Sequence, residues 1–127
     1  MQAPKQVLVI DDEELIQEVI QASLEDIVGW EVVLASSGAE GLTLAASESP
    51  DVILLDVSMP IMDGIETFKK LQDDSVTQTI PVIFLNAKVQ PSDKAIFSQL
   101  GVAGVIAKPF DPMTLNKEVS EILAWQS

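Results

Sequence analysis

Five short runs of branched, apolar residues recur along this chain, and each is followed by a stretch with helical spacing. The runs cover residues 7–10, 31–35, 52–55, 82–85 and 104–107. Most are apolar at every position, the pattern of strands covered on both faces, as in a parallel sheet. The first helical stretch, about 13–27, sets Leu15, Ile16, Val19, Ile20 and Leu24 on one face, with Gly29 as a stop. The second begins near Ser37, a good N-cap, and ends before Ser49 and Pro50. The third covers about 63–71 and the fourth 92–100, with Gly101 at its end. The fifth is expected to open on Asp111 and Pro112, a cap residue followed by proline at the first helical position. Its inner face would hold Leu115, Val119, Ile122 and Leu123. Five βα units with right-handed crossovers make an α/β fold, a parallel sheet with helices on both faces. At 127 residues the chain is expected to form one domain, 1–127.

Composition narrows the function. The formal net charge is −13, and every cation is a lysine. Nucleic acid is therefore not an expected direct partner, because phosphate binding draws on clustered Lys and Arg. With no histidine, a His-based hydrolase or a His-ligated metal site is excluded. With no cysteine, disulfides are excluded and a cytoplasmic setting is the default expectation. No apolar run approaches the roughly twenty residues of a membrane span, and the first residues do not read as a signal peptide.

Ligands of doubly wound sheets collect beyond the carboxyl ends of the strands. There this chain carries Asp11, Asp12 and Glu13 after the first strand, Asp56 after the third, Asn86 after the fourth and Lys108 after the fifth. Three aspartates brought together as bare anions repel strongly, and a hard divalent cation such as Mg²⁺ resolves that. Mg²⁺ and Lys108 together suit an incoming phosphoryl group, for which Asp56 can serve as nucleophile. Taken singly, Asp11 or Glu13 reads as a helix cap, and Lys108 as a surface lysine.

Three segments in order carry a resemblance. The chain resembles the receiver domain of two-component response regulators, the family of the single-domain chemotaxis regulator. The similar segments are Val9-Ile10-Asp11-Asp12-Glu13, the stretch from Asp51 through Asp56 and Met59-Pro60 to Asp63-Gly64, and Ala107-Lys108-Pro109-Phe110. The resemblance implies a flavodoxin-like sheet of strand order 2-1-3-4-5 with five helices. It implies Asp56 as phosphoacceptor and metal ligand, Asp12 as a direct Mg²⁺ ligand, Asp11 as a direct or water-mediated one, and the Ser58 backbone carbonyl as another. Lys108 would pair with Asp56 and then with a phosphoryl oxygen, and backbone N–H groups near Val57 and Ala87 would hold the others. The Lys108–Pro109 bond would be cis. The donor would be a phosphohistidine on a histidine kinase or histidine phosphotransfer protein, docking on the acid-rich first helix.

Two positions depart from the family pattern. Asn86 stands where Ser or Thr is usual, and Val105 where an aromatic ring or His is usual. An Asn amide still donates a hydrogen bond, but valine has no ring to reorient. Phosphorylation is the expectation with an atypical readout, in which Asn86 and Val105 are either neutral replacements within a working switch or signs of a different output mechanism; the alternative is a phosphorylation-independent receiver-like interaction module. Lys88 reads first as a solvated loop lysine, and second as a contact to the phosphoryl group or a block to hydrolytic water. Apolar residues Ala95, Ile96, Phe97, Val105 and Trp125 leave room for a homodimer through the fourth helix, fifth strand and fifth helix. A flavodoxin-type cofactor site is disfavoured, because Asp11-Asp12-Glu13 would repel phosphate. A haloacid-dehalogenase-type phosphatase is disfavoured by Ser58, where a second Asp is usual.

Overall fold

The computed structural model describes residues 4–87 and 90–125. Strands and helices alternate as β1 (Gln6–Ile10), α1 (Glu14–Val28), β2 (Glu31–Ala35), α2 (Gly38–Glu48), β3 (Val52–Asp56), α3 (Gly64–Asp73), β4 (Val82–Asn86), α4 (Pro91–Leu100), β5 (Gly104–Ala107) and α5 (Leu115–Leu123). The strands pair in parallel in the order β2-β1-β3-β4-β5. This is the doubly wound, flavodoxin-like arrangement expected from the sequence. Among the described residues no helix is long and apolar enough to cross a membrane.

Side chains of a strand alternate between its faces, so each apolar run feeds two cores. On one face Leu8, Ile10, Ile53, Leu55 and Phe84 meet Ala45 of α2, Phe68 and Leu71 of α3 and Phe97 of α4. Phe84 is the middle ring of an edge-to-face series, 5.8 Å from Phe68 and 5.0 Å from Phe97. On the other face Val7, Val9, Val52, Leu54, Ile83, Leu85 and Ile106 meet Ile20 and Leu24 of α1 and Leu115 and Val119 of α5. Burying each large side chain stabilises by about 1.5–3 kcal/mol, which conformational entropy largely offsets. β3 is buried at all five positions, and this holds its last residue, Asp56, away from water.

Helix ends follow local chemistry. The Ser37 hydroxyl accepts from Glu40 N–H at 3.1 Å, and the Asp63 carboxylate accepts from Glu66 N–H at 2.8 Å. Gly29 ends α1 in the left-handed region, at φ 69°. The fifth helix departs from the sequence expectation. It opens at Leu115, not at Asp111-Pro112. The Asp111 carboxylate accepts from Met113 N–H at 2.9 Å, and the Asp111 carbonyl accepts from Thr114 N–H at 3.1 Å. These bonds close a turn over 111–114 ahead of the helix. Trp125 also departs from its expected place. It lies edge-on to Trp30, 5.5 Å between centroids, with Lys5 Nζ 4.6 Å over its ring, and Phe97 is in the core. Of the apolar residues assigned to a dimer face, Ala95 and Ile96 are exposed and Val105 is half-buried.

Gly64 joins the fold to the end of β3. Its N–H donates to the Val57 carbonyl at 2.9 Å, and a Cβ there would lie 2.4 Å from the Asp56 carbonyl oxygen and 2.7 Å from Val57 Cα. Both obstacles are backbone, so neither can swing aside. Gly64→Ala should lower unfolding free energy by about 1–3 kcal/mol through overpacking. Urea unfolding at constant m-value measures this, and an unchanged midpoint would contradict the close approach.

Candidate functional site

Parallel register sets the carboxyl ends of β1, β3, β4 and β5 along one edge of the sheet. Asp56 pairs with Leu85, and Asn86 with Ala107. Asp11 leaves β1 while still bonded to it's neighbour, its N–H donating to the Ala35 carbonyl at 3.0 Å. Lys108 follows β5, its N–H donating to the Asn86 carbonyl at 2.9 Å, and the Lys108–Pro109 peptide is cis.

Four of the predicted side chains come together here. Ligand atoms of Asp11, Asp12 and Asp56 lie within 4.8 Å of one another. Lys108 Nζ lies 2.9 Å from Asp11 Oδ2 and 3.2 Å from Asp56 Oδ1. Asp11 and Asp56 are buried, while Asp12 is exposed. Asp11 uses both its oxygens, since Oδ1 accepts from Glu13 N–H at 2.9 Å ahead of α1. It is both a turn-former before α1 and an ion-pair partner.

Burial, and then the neighbouring Asp11 charge, push the Asp56 carboxyl up to about 6 from 3.8. Lys108 and the Ser58 N–H pull it back without cancelling the rise. For Lys108, burial alone would lower the ammonium, but hydrogen bonds and charge from Asp11 and Asp56 outweigh it and hold the group above 10.5. Among the described residues, the Lys108 ammonium thus offsets only part of the local negative charge. A cluster of carboxylate oxygens with one exposed member and excess negative charge fits a hard divalent cation.

The remaining candidates sort unevenly. Of the two N–H groups beside Asp56, Val57's donates to the Leu85 carbonyl at 3.1 Å and is spent in the sheet. The Ser58 N–H, next along the chain, instead faces Asp56 Oδ1 at 3.3 Å. Asn86 ends β4 half-buried, and Ala87 follows it, exposed. Val105 packs against the Phe84 core, beside a cavity of about 240 Å³ lined by Lys94, Ser98, Val102 and Ile122. Lys88 lies outside the described residues.

Two contacts were not anticipated. The buried Gln17 amide donates to the carbonyls of Asp11 and Ala35 and to Ser36 Oγ, tying the ends of β1 and β2 to α1. Its signal was a polar residue near the face that carries Ile20 and Leu24. In the loop after Asp56, Met62 N–H donates to the Pro60 carbonyl at 2.7 Å, across Ile61 at φ 68°. That is a γ-turn with a fully exposed β-branched residue at its centre, a costly backbone state that no sequence periodicity reports.

Comparisons with known proteins agree with this fold. The alkaline phosphatase synthesis transcriptional regulatory protein PhoP of Bacillus subtilis is 41% identical over 119 residues, covering 94% of this chain and 48% of that protein. Protein PilH of Pseudomonas aeruginosa is 36% identical over 118 residues, covering 93% of this chain and 97% of that one. The structure of chemotaxis protein CheY4 of Vibrio cholerae superposes with a TM-score of 0.87 at 34% identity, covering 94% of this chain and 99% of that one. The chain thus spans about half the length of PhoP and, at 54%, of the Synechocystis response regulator Rre1. The response regulator receiver domain family matches residues 7–120, and the chain belongs to that family.

Proposed function

We propose that residues 1–127 form one receiver domain of a phosphorelay, with Asp56 as the phosphoacceptor. The observation that carries this reading is the Lys108 ammonium, held 3.2 Å from Asp56 and 2.9 Å from Asp11 beside the three-aspartate cluster. The donor is a phosphohistidine on a histidine kinase or phosphotransfer protein. A carboxylate oxygen of Asp56 bonds to phosphorus as the donor's phosphorus–nitrogen bond breaks, and the imidazole leaves with that electron pair. Asp11, Asp12, Asp56 and the Ser58 carbonyl are the proposed Mg²⁺ ligands; the bound ion would neutralise charge on the transferring phosphoryl oxygens. Lys108 and the Ser58 N–H hold phosphoryl oxygens, and Asn86 offers an amide donor in place of a hydroxyl. The output is conformational and does not use a rotating ring, since Val105 has none. A target protein, or a second copy through the exposed Ala95 and Ile96 face, reads it, with no direct contact to nucleic acid or membrane.

Acetyl phosphate with Mg²⁺ should add one phosphoryl group by intact mass, and chelation or Asp56→Asn should abolish it. Labelling that persists in Asp56→Asn rejects the acceptor. Partner binding that ignores donor, metal and that substitution would favour the phosphorylation-independent module.

The electrostatics make a separate prediction for the metal-free protein. A carboxyl raised in the folded state holds its proton more tightly there than in the unfolded chain. Its contribution is full below 3.8 and is lost as pH rises through about 6. At mildly alkaline pH without Mg²⁺, Asp56→Asn should therefore be more stable than the parent by about 1–3 kcal/mol. Mg²⁺ should stabilise the parent and leave the variant nearly unmoved. Urea unfolding across pH checks both, and a metal-free variant less stable than the parent would contradict them.

A further inference from the structure

Lys108 has a third carboxylate neighbour outside the metal cluster. Glu13 Oε1 lies 3.6 Å from Nζ, with its side chain 61% exposed against 0% and 5% for Asp11 and Asp56. The aspartate group that could hold a cation does not include it. Glu13 sits at the N-cap of α1, where the short side chains of Asp, Asn, Ser or Thr accept from the first N–H groups of the helix, and a longer Glu side chain is free to reach elsewhere. It makes no such bond. Its carboxylate lies by the ammonium, on the exposed side of the ion-pair group.

We propose that Glu13 is a positioning and selectivity residue, which competes with an incoming phosphoryl oxygen for Lys108 and so disfavours free anionic donors at Asp56. The inference rests on Asp56 being the acceptor. An ammonium has three N–H donors, and three carboxylates surround this one. Asp11 and Asp56 approach closely from buried positions at strand ends. Glu13 has the longest contact and the most exposed side chain, so it is the partner displaced at least cost. Until it moves, it holds a full negative charge beside the group that must receive a phosphoryl oxygen. A free acyl phosphate meets that charge directly. A protein donor with a Lys or Arg opposite Glu13 neutralises it, so the residue favours a donor with a basic docking face.

Glu13→Gln removes the charge and keeps the shape. With acetyl phosphate as the probe, at saturating Mg²⁺, the half-saturating donor concentration should fall roughly three- to tenfold with the maximal rate unchanged. Added salt should speed donor-limited phosphorylation more in the parent than in the variant, because the variant lacks the nearest of the charges that screening weakens. The urea midpoint should match between the two, and the fall should persist with each protein held at its own saturating Mg²⁺, which separates this role from a structural one. A half-saturating concentration unchanged in the variant, or a change that follows Mg²⁺ affinity, overturns the inference alone. A parent that gains no phosphoryl group overturns the acceptor reading, and this inference with it.

Discussion

The site is organised around the Lys108 ammonium, placed between two buried carboxylates. Asp11 and Asp56 end neighbouring strands of a sheet covered on both faces, so water cannot screen their repulsion. Lys108 relieves part of it, yet burial first and the Asp11 charge second still raise the Asp56 carboxyl to about 6. Such a residue of unbalanced charge is costly to a resting fold and useful to a site that takes up cations and phosphoryl oxygens.

The sheet makes this placement reproducible. Each ladder bond that carries a strand to its end also aims the next side chain: Asp11 through the Ala35 carbonyl, Lys108 through the Asn86 carbonyl. A slip of one residue would turn every strand-end side chain to the other face. Gly64 adds a contact from α3 against the Asp56 and Val57 backbone. Core packing and site geometry are therefore linked, and substitutions under the site should change both.

Much of this was legible in the sequence because burial on both faces leaves continuous apolar runs, and strand-end polar residues stand out against them. Asp11, Asp12, Asp56 and Lys108 were found that way. What escaped was set by contacts rather than by pattern. β3 and β4 run one residue past their last apolar position, since backbone pairing continues through Asp56 and Asn86. The start of α5 moved because the Asp111 side chain bonds two residues on, a choice that Asp-Pro alone does not specify. Trp125 reads as a helix-face residue, yet it packs on Trp30, remote in sequence. Glu13 reads as a cap and instead contacts Lys108.

The central claim is that phosphoryl chemistry occurs at Asp56 and draws Lys108 onto the phosphoryl group. A crystal structure with Mg²⁺ and beryllofluoride tests it most directly. The expected result is beryllium on an Asp56 carboxylate oxygen, the metal on the aspartate cluster, and Lys108 Nζ moved from Asp11 to a fluoride. Beryllofluoride bound elsewhere, or Lys108 still paired with Asp11 beside an occupied Asp56, would contradict it.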